Sequence, residues 1–543
     1  MKTISAAVER VEPNTTIWVR KGVYPESVEI HRGGVGIQSP ITISGWPGEE
    51  DQVILTGADR VTGWEPYGEN LWRRKNWEAQ WEDWGAGHPG WESGEPPFDP
   101  VKRWRRSWRE HLFLEGQELM HMESFAALIP MSFTVDKEQS ICYLKLANGL
   151  NPNEKNLEAS RRSTDIKVNS DSVVVRGLVV ERFTESGLVS HGQRCRFENI
   201  VTRYNYDGVG MSGSNNIYRG IRAIYNGRTG MTGGPTDCIV TDSLLLYNNT
   251  KGITQSFHAG GMKICDARNV TIRRVKAFYN RGVGIWFDIY NKHITVENCT
   301  AVGNANTGIF IEISDGPCLV RNNFCMNNST GIVIAESDDC TVVHNTCLYN
   351  QKGFAMRYGD RPRMYQSGYL NGKRIEHASI DRKEPQGAFT VRNLTLSNNI
   401  FAYNTQVQLD GRHWQKDTWR DAVKNNYQSD YNLLWAGSSD AALIGWETGM
   451  IQRLGNWPLR DRWETHSIVA EPGFEGRGPY DFALSPDSPA SKTGNTMSAC
   501  PDDRYGRRWM MPAAGAVEPV LHEVWSSRTL DGQGETNAWP DPD

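Results

Sequence analysis

Short runs of alternating apolar and polar residues recur along the middle of the chain, separated by turns that contain asparagine and glycine. The runs at 270–275, 294–296 and 340–343 are rich in β-branched residues, as strands are. Most successive turn signals lie 21 to 24 residues apart, and they are Asn205, Asn226, Asn248, Asn280, Asn304, Asn328 and Asn350. A fixed period with several short strands per repeat predicts an all-β parallel β-helix, a solenoid of stacked coils. An antiparallel sandwich, the alternative, predicts no constant period.

The asparagines suggest how the turns are built. Asparagine tolerates the left-handed backbone region, and its side-chain amide can hydrogen-bond locally. Stacked amides in equivalent positions can also form ladders between coils. We therefore expect Asn280, Asn304 and their equivalents to adopt positive φ and to stack.

The repeat divides the 543-residue chain into four regions. Residues 1–64 are expected to form an N-terminal cap helix and the first coils, and 161–435 the main β-helix. Between them, 65–160 reads as an inserted small antiparallel β module, and 436–543 as a C-terminal cap and extension. Eight of the 20 tryptophans lie between Trp64 and Trp108. They could line a sugar subsite or pack the module against the solenoid.

Two acids occupy the same place in consecutive repeats. Asp288 and Glu312 each follow a glycine by four positions and lie 24 residues apart. Because side chains alternate along a strand, both should point away from the core, beside the aromatic strip of Trp286 and Phe310. Neighbouring strands are about 4.8 Å apart, close to the roughly 5–5.5 Å that a retaining glycosidase needs between its two carboxyl groups. Two like charges at this spacing repel unless they serve a reaction or share a proton, so the pair is a catalytic candidate. The alternative is that both are solvated acids on the surface of the solenoid.

Two longer repeat intervals flank this pair and supply candidate substrate contacts. One interval carries His258, and the other carries Arg357 and Tyr358. Insertions in a solenoid often cluster on the binding face. Lys263 should stack over the Trp286 position and could contact a substrate hydroxyl. The alternatives are structural: a hydrogen-bonded histidine, a solvated lysine, or an arginine paired with a nearby aspartate.

Charge and cysteine spacing exclude several classes of function. A formal net charge of −5 predicts neither nucleic acid nor membrane as a partner, and no apolar run reaches the length of a membrane span. No leader-like apolar segment opens the chain, which favours a cytoplasmic location unless a leader has been removed. The ten cysteines include no CxxC pair, so we expect no metal site. Buried free thiols stacked between coils, as in Cys318 with Cys340, fit a reducing compartment.

The block 260–322 resembles the β-xylosidases of glycoside hydrolase family 120. Its motifs Gly-Gly-Met-Lys-Ile, Gly-Ile-Trp-Phe-Asp and Ile-Phe-Ile-Glu-Ile-Ser-Asp-Gly-Pro carry the resemblance, together with 16–24 and 53–57 in the opening coils. The resemblance implies a right-handed β-helix with an inserted β module and a retaining mechanism. It implies Asp288 as nucleophile and Glu312 as acid/base, and it places Lys263 and the His258 loop in the pocket.

The residues support three hypotheses. The first is a retaining, exo-acting β-glycosidase on oligosaccharides that needs no cofactor and no metal. The second is a polysaccharide lyase or epimerase on uronic-acid polymers, with Lys263, Arg357, Arg361 or Arg363 neutralising the substrate carboxylate. The third is a non-catalytic carbohydrate-binding solenoid. A second copy of the chain, in a homo-oligomer, could close an open groove in any of them.

Overall fold

A computed structural model describes the backbone of residues 2–79, 109–163, 166–253, 255, 258–357, 367–370, 373–376, 391–412, 426–438, 441–446, 449–475 and 482–492. Most of the Trp-rich stretch, at 80–108, lies outside the described residues, as do Tyr358, Arg361 and Arg363.

The chain forms a right-handed parallel β-helix, which confirms the predicted fold class. Each regular coil contributes two strands to one long sheet, sheet A, and a third strand to a second one, sheet B. The sheet A strands are Thr16–Val19, Gly22–Tyr24, Ile41–Gly45, Val53–Thr56, Val173–Glu181, Arg196–Arg203, Ile217–Arg219, Arg222–Ile224, Thr236–Thr241, Leu244–Leu246, Arg268–Arg273, Lys276–Phe278, Lys292–Glu297, Thr300–Val302, Cys318–Arg321, Phe324–Met326, Cys340–Val343, Thr346–Leu348, Thr395–Ser397, Ile400–Ala402, Gln428–Asp430, Leu433–Trp435 and Ile468–Val469. The sheet B strands are Val28–Ile30, Ile166–Val168, Ser186–Ser190, Asp207–Met211, Thr229–Gly233, Gly260–Ile264, Val283–Asp288, Thr307–Glu312, Thr330–Ala335, Lys352–Arg357, Val407–Asp410, Ala442–Trp446 and Gly449–Ile451.

A buried asparagine ladder joins each coil to the next at the turn before sheet B, as expected. The Asn280 side-chain amide donates to Oδ1 of Asn304 at 2.9 Å, and Asn304 donates to Oδ1 of Asn328 at 3.0 Å. The expected positive φ of the ladder asparagines is wrong: the preceding residue adopts it, for example Tyr279 at +50°. The asparagine must direct its amide inward to the ladder, so the left-handed turn falls one residue earlier. Rings of successive tyrosines there stack, with centroids 5.6 Å apart for Tyr247 and Tyr279.

The module is inserted into the second coil, between Val53–Thr56 and Ile166–Val168. Its first strand, Ala58–Arg60, starts before the expected boundary at 65. The module contains a four-stranded sheet and a five-stranded sheet, mostly antiparallel. Their strands are Ala58–Arg60, Leu112–Leu114, Gln117–Glu118 and Leu157–Ser160, and then Glu65–Gly68, Leu71–Lys75, Met120–His121, Ser132–Asp136 and Ile141–Lys145. Trp64 and Trp77 are buried in the module core, so these two tryptophans pack rather than line a sugar subsite.

Short helices and a C-terminal segment complete the fold. The helix Ile4–Val8 covers the N-terminal end, with Thr3 as its N-cap and Ile4 and Val8 in the solenoid core. The other helical segments are Glu50–Gln52, Phe125–Ala127, Leu454–Asn456 and Pro489–Lys492. A hairpin, Ser367–Leu370 with Lys373–Glu376, lies in the interval after Arg357. Residues of the C-terminal segment, including Phe474 and Phe482, pack on the outside of sheet A. In the described part of the chain, no helix is long and apolar enough to cross a membrane.

The nine described cysteines are free, and the predicted stacking of thiols is confirmed. Cys318 is in register with Cys340 and Cys325 with Cys347, on adjacent coils. Burial raises the pKa of the Cys347 thiol well above its usual value, and the Cys325 thiol beside it adds to the shift. These cysteines therefore act as small core residues.

Candidate active site

The paired acids lie on two strands of sheet B, Val283–Asp288 and Thr307–Glu312, each with a glycine at its second position. A Cβ on Gly284 would lie 2.6 Å from the carbonyl oxygen of Gly308 and 2.9 Å from Nδ2 of Asn304, so the asparagine ladder leaves room only for glycine. After Gly284, Ile285 and Phe287 point into the solenoid core. The alternation of the strand then directs Trp286 and Asp288 outward. The parity predicted from sequence is confirmed on this strand.

Asp288 and Glu312 are directly in register on adjacent parallel strands, as predicted. Their Cα atoms are therefore one strand spacing apart, about 4.8 Å. The solvated surface position considered for them is wrong for Asp288, whose residue is 6% exposed. Glu312 is partly exposed. The two acids thus occupy unlike environments although their backbone positions are equivalent.

Lys263 lies on the preceding coil, in register with Trp286. Its ammonium is 2.8 Å from Oδ2 of Asp288 and 3.7 Å from the centroid of the Trp286 ring. Lys263 is 5% exposed, so it is not the solvated lysine that was one alternative. The register was predictable from the repeat, but the lysine–aspartate ion pair was not.

Trp286 connects the lysine to the second acid. Its indole Nε1 donates to Oε2 of Glu312 at 3.1 Å. Its ring stacks on Phe310, with centroids 5.4 Å apart and planes 9° from parallel. Both aromatic rings belong to a buried apolar cluster on the outer face of sheet B, separate from the solenoid core.

The two oxygens of Asp288 are not equivalent. Oδ2 faces Lys263, whereas Oδ1 is buried and has no hydrogen-bond partner in the described structure. A buried carboxylate oxygen without a donor is costly, and such atoms occur mainly at functional sites. Asp288 therefore has one oxygen that no hydrogen bond of the described residues occupies.

His258 and Cys265 border the lysine side of the site. The His258 ring nitrogen Nε2 is 2.7 Å from Oγ1 of Thr232, which is in register with Lys263. Burial lowers the pKa of His258 well below its usual value, and Arg228 and Lys263 add to the shift. Burial, with a smaller effect of Asp288, raises the pKa of Cys265 to about 12. This end of the site thus holds a neutral histidine and a protonated thiol. No motif in the sequence pointed to Thr232.

Arg357 lies on the other side of Glu312, two coils further along. Glu312, Ala335 and Arg357 occupy equivalent positions on three successive strands. The guanidinium carbon is 5.9 Å from the centroid of Phe310. Burial lowers the pKa of Arg357 from its ordinary value, opposed by the charges of Glu312 and Asp410. Asp360, the expected alternative partner, lies outside the described residues.

A further acid on this face was missed by sequence reasoning. Asp410 follows Ala355 in register and is 3% exposed. It pairs with Lys352 at 2.7 Å and with Arg412 at 2.8 Å. Burial alone would raise the pKa of Asp410, but these hydrogen-bonded cations outweigh it and lower that pKa. No sequence motif marks Asp410, because a long insertion interrupts the repeat before this residue. In the described part of the chain, no cluster of three or more His, Cys, Asp or Glu side chains could hold a metal ion.

Comparison with known proteins supports the solenoid architecture. The family model of the right handed beta helix region matches residues 166–347. No curated protein matches the chain. The solved structure of XylC in complex with xylose aligns with a TM-score of 0.64 at 14% identity, covering 96% of this chain and 95% of that one. At this identity the likeness shows the fold alone.

Other β-helix structures align less closely. The A-module of the mannuronan C-5 epimerase AlgE6 of Azotobacter vinelandii has a TM-score of 0.44 at 11% identity, covering 86% of this chain and 93% of that one. The pectate lyase Pel9A has a TM-score of 0.38 at 13% identity, with coverages of 95% and 90%.

Proposed function

We propose that this protein is a retaining, exo-acting β-glycosidase. The observation that carries the proposal is the in-register pair of Asp288 and Glu312, two acids one strand apart in unlike surroundings. A retaining mechanism needs two carboxyl groups at this separation and with different roles. Unlike surroundings divide such a pair into an anionic nucleophile and a proton donor.

Asp288 is the nucleophile in this proposal. The Lys263 ammonium, 2.8 Å from Oδ2, holds the plane of the carboxylate. A carboxylate oxygen of Asp288 attacks the anomeric carbon as the bond to the leaving oxygen breaks. The product of this step is a glycosyl ester of Asp288.

Glu312 is the acid/base. It is the more exposed of the two acids, so a glycosidic oxygen and water can reach it. The protonated carboxyl gives its proton to the leaving oxygen. It then takes a proton from water, whose oxygen attacks the anomeric carbon and releases Asp288 with net retention of configuration. Trp286 orients Glu312 through its indole N–H.

The likeness of fold to XylC, whose structure contains xylose, directs the choice of first substrates. In the proposed exo action, the end of the sugar chain lies at the lysine side of the site, beside the buried Lys263. Trp286 and Phe310 stack beside the acids and form one wall of the proposed site.

The test uses aryl β-glycosides of xylose, arabinose, glucose and galactose. We expect Asp288→Ala to reduce hydrolysis to background and Glu312→Ala to reduce kcat/KM by about 10²–10⁴-fold. Azide should accelerate Glu312→Ala and form a glycosyl azide, because a small anion attacks the glycosyl ester without base assistance. Glu29→Ala is the matched control: Glu29 is an exposed acid on an outer strand of sheet B, far from the pair. Near wild-type activity of both site variants would refute the assignment.

A polysaccharide lyase or epimerase is the second candidate, and the cations at the site favour it. Such enzymes neutralise a uronate carboxylate and remove the neighbouring proton, and Arg357 and Lys263 stand on both sides of the acids. The expected result for this candidate is an absorbing unsaturated product, or an epimerised residue, from pectin or alginate. Turnover of aryl glycosides without either product would exclude it.

A further inference from the structure

Near the acids, cations of the described residues on the outer face of sheet B are matched by carboxylates, with one exception. Lys263 pairs with Asp288. Lys352 and Arg412 both pair with Asp410. Each of these ion pairs is partly or fully buried, where an unmatched charge is expensive. The pattern makes any unmatched cation on this face informative.

Arg357 is that exception. Among the described residues, no carboxylate lies within 4.0 Å of its guanidinium, and its recorded contact is with the face of Phe310. The charges of Glu312 and Asp410 reach it only at longer range. The residue is accessible to solvent, yet burial lowers the pKa of its guanidinium. The exposure of Arg357 lets a dissolved molecule reach its side chain.

In the proposed mechanism, even less negative charge lies near Arg357. If Glu312 is the proton donor, it is neutral when substrate binds, and Asp410 is already bound by two cations. Among the described residues, Arg357 then has no nearby anion of its own. A guanidinium binds carboxylates through two parallel hydrogen bonds, so a substrate carboxylate would supply the missing charge.

Apolar residues lie between Glu312 and Arg357 on the outer face of sheet B. Val333, Ala335 and Ala355 lie there, buried and apolar with small side chains, and they continue the cluster that begins at Trp286. Arg357 is two strands from Glu312, about 10 Å along the solenoid. The side chain of Arg357 reaches back toward Glu312, since its guanidinium carbon is 5.9 Å from the centroid of Phe310.

We propose that Arg357 binds the carboxylate of a uronic acid unit on the leaving-group side of the bond that is cleaved. The substrate class is an acidic oligosaccharide. This inference rests on the proposed function, because Asp288 and Glu312 define which side the leaving group occupies. In this proposal the non-reducing sugar lies over Asp288 on the lysine side, and the glycosidic oxygen lies at Glu312. The next unit therefore extends over Ala335 toward Arg357.

The experiment compares two aryl glycosides of the sugar that the wild type hydrolyses, with 3-carboxyphenyl and 3-carbamoylphenyl leaving groups. The carbamoyl group makes the phenol a better leaving group than the carboxylate does. Leaving-group acidity alone would therefore favour the carbamoyl substrate, which is opposite to the preference that we expect. We expect the wild type to favour the carboxylate by about 10-fold or more in kcat/KM, the effect of one charged hydrogen-bonded contact. Arg357→Gln should abolish this preference, and Arg357→Lys should retain part of it.

Arg274→Gln is the matched control, since Arg274 is a partly exposed arginine that pairs with Asp242 on sheet A. It should keep the wild-type preference. Equal kcat/KM of the wild type for both substrates, or an equal loss on both in Arg357→Gln, overturns the role of Arg357 and leaves the glycosidase intact. Failure to hydrolyse any aryl glycoside, including neutral nitrophenyl ones, overturns the proposed function and this inference with it.

Discussion

At the residue scale, the distinctive feature is the contact between Lys263 and Asp288. From the sequence, two stacked acids with mutual repulsion were expected. In the structure a third residue, Lys263, sets the two acids apart by pairing with only one of them. Register predicted that Lys263 lies over Trp286, but the direction of a flexible four-carbon side chain depends on what surrounds it.

The ion pair should matter for stability as well as for activity. Lys263→Met leaves the Asp288 carboxylate buried without its counter-charge, which typically costs about 3–5 kcal/mol. We expect a decrease of this size in the free energy of unfolding, measured in urea, together with loss of activity. Lys263→Met combined with Asp288→Asn should regain most of the stability but no activity, because the buried charge is gone. A single variant as stable as the wild type would contradict the buried pair.

At the element scale, the asparagine ladder determines the position of the site strands. It explains why the repeat period predicted the register of Asp288 with Glu312: each ladder residue fixes one coil against the next. The same ladder explains the wrong expectation for backbone conformation. Asparagine was expected at positive φ from its local tendency, but the tertiary ladder takes its side chain inward and moves the left-handed turn to the residue before it.

Breaking one ladder step should destabilise the coil that carries Asp288. Asn304→Ala removes the acceptor of the Asn280 amide and backbone N–H, and the donor to the carbonyl of Ala277. Several buried polar groups lose partners at about 1–3 kcal/mol each, so we expect a loss of about 3 kcal/mol or more. Asn306→Ala, at a partly exposed asparagine outside the ladder, is the control for urea denaturation. Equal losses in both variants would mean that the ladder contributes little.

At the scale of the whole molecule, the inserted module is fixed to the solenoid by buried polar groups. Lys251 of the solenoid donates to the carbonyl oxygen of Glu110 at 2.6 Å. His111 of the module is fully buried, with Nδ1 2.7 Å from Glu118. Phe113 packs edge-on against Tyr204, so apolar contacts accompany the polar ones.

This interface predicts a dependence of stability on pH. Burial, with a further effect of Lys251, lowers the pKa of His111 to about 4 from its ordinary 6.5. The unfolded chain therefore takes up the proton first, and stability falls as pH decreases from about 6.5 to about 4. The expected loss is about 3 kcal/mol, measured as urea unfolding across this range. His111→Gln should remove this part of the pH dependence, and an unchanged profile would show that His111 does not cause it.

The sequence by itself determined the β-helix, the register of its coils and the outward direction of Trp286, Asp288 and Glu312. These follow from a constant period and from the alternation of strands, which are local and repeat along the chain. Tertiary structure alone decided that Lys263 pairs with Asp288, that Asp410 lies on the same face, and that Arg357 has no matching carboxylate in the described residues. Such contacts form between side chains of coils that are separated by insertions of irregular length. The repeat period of the sequence therefore cannot predict them.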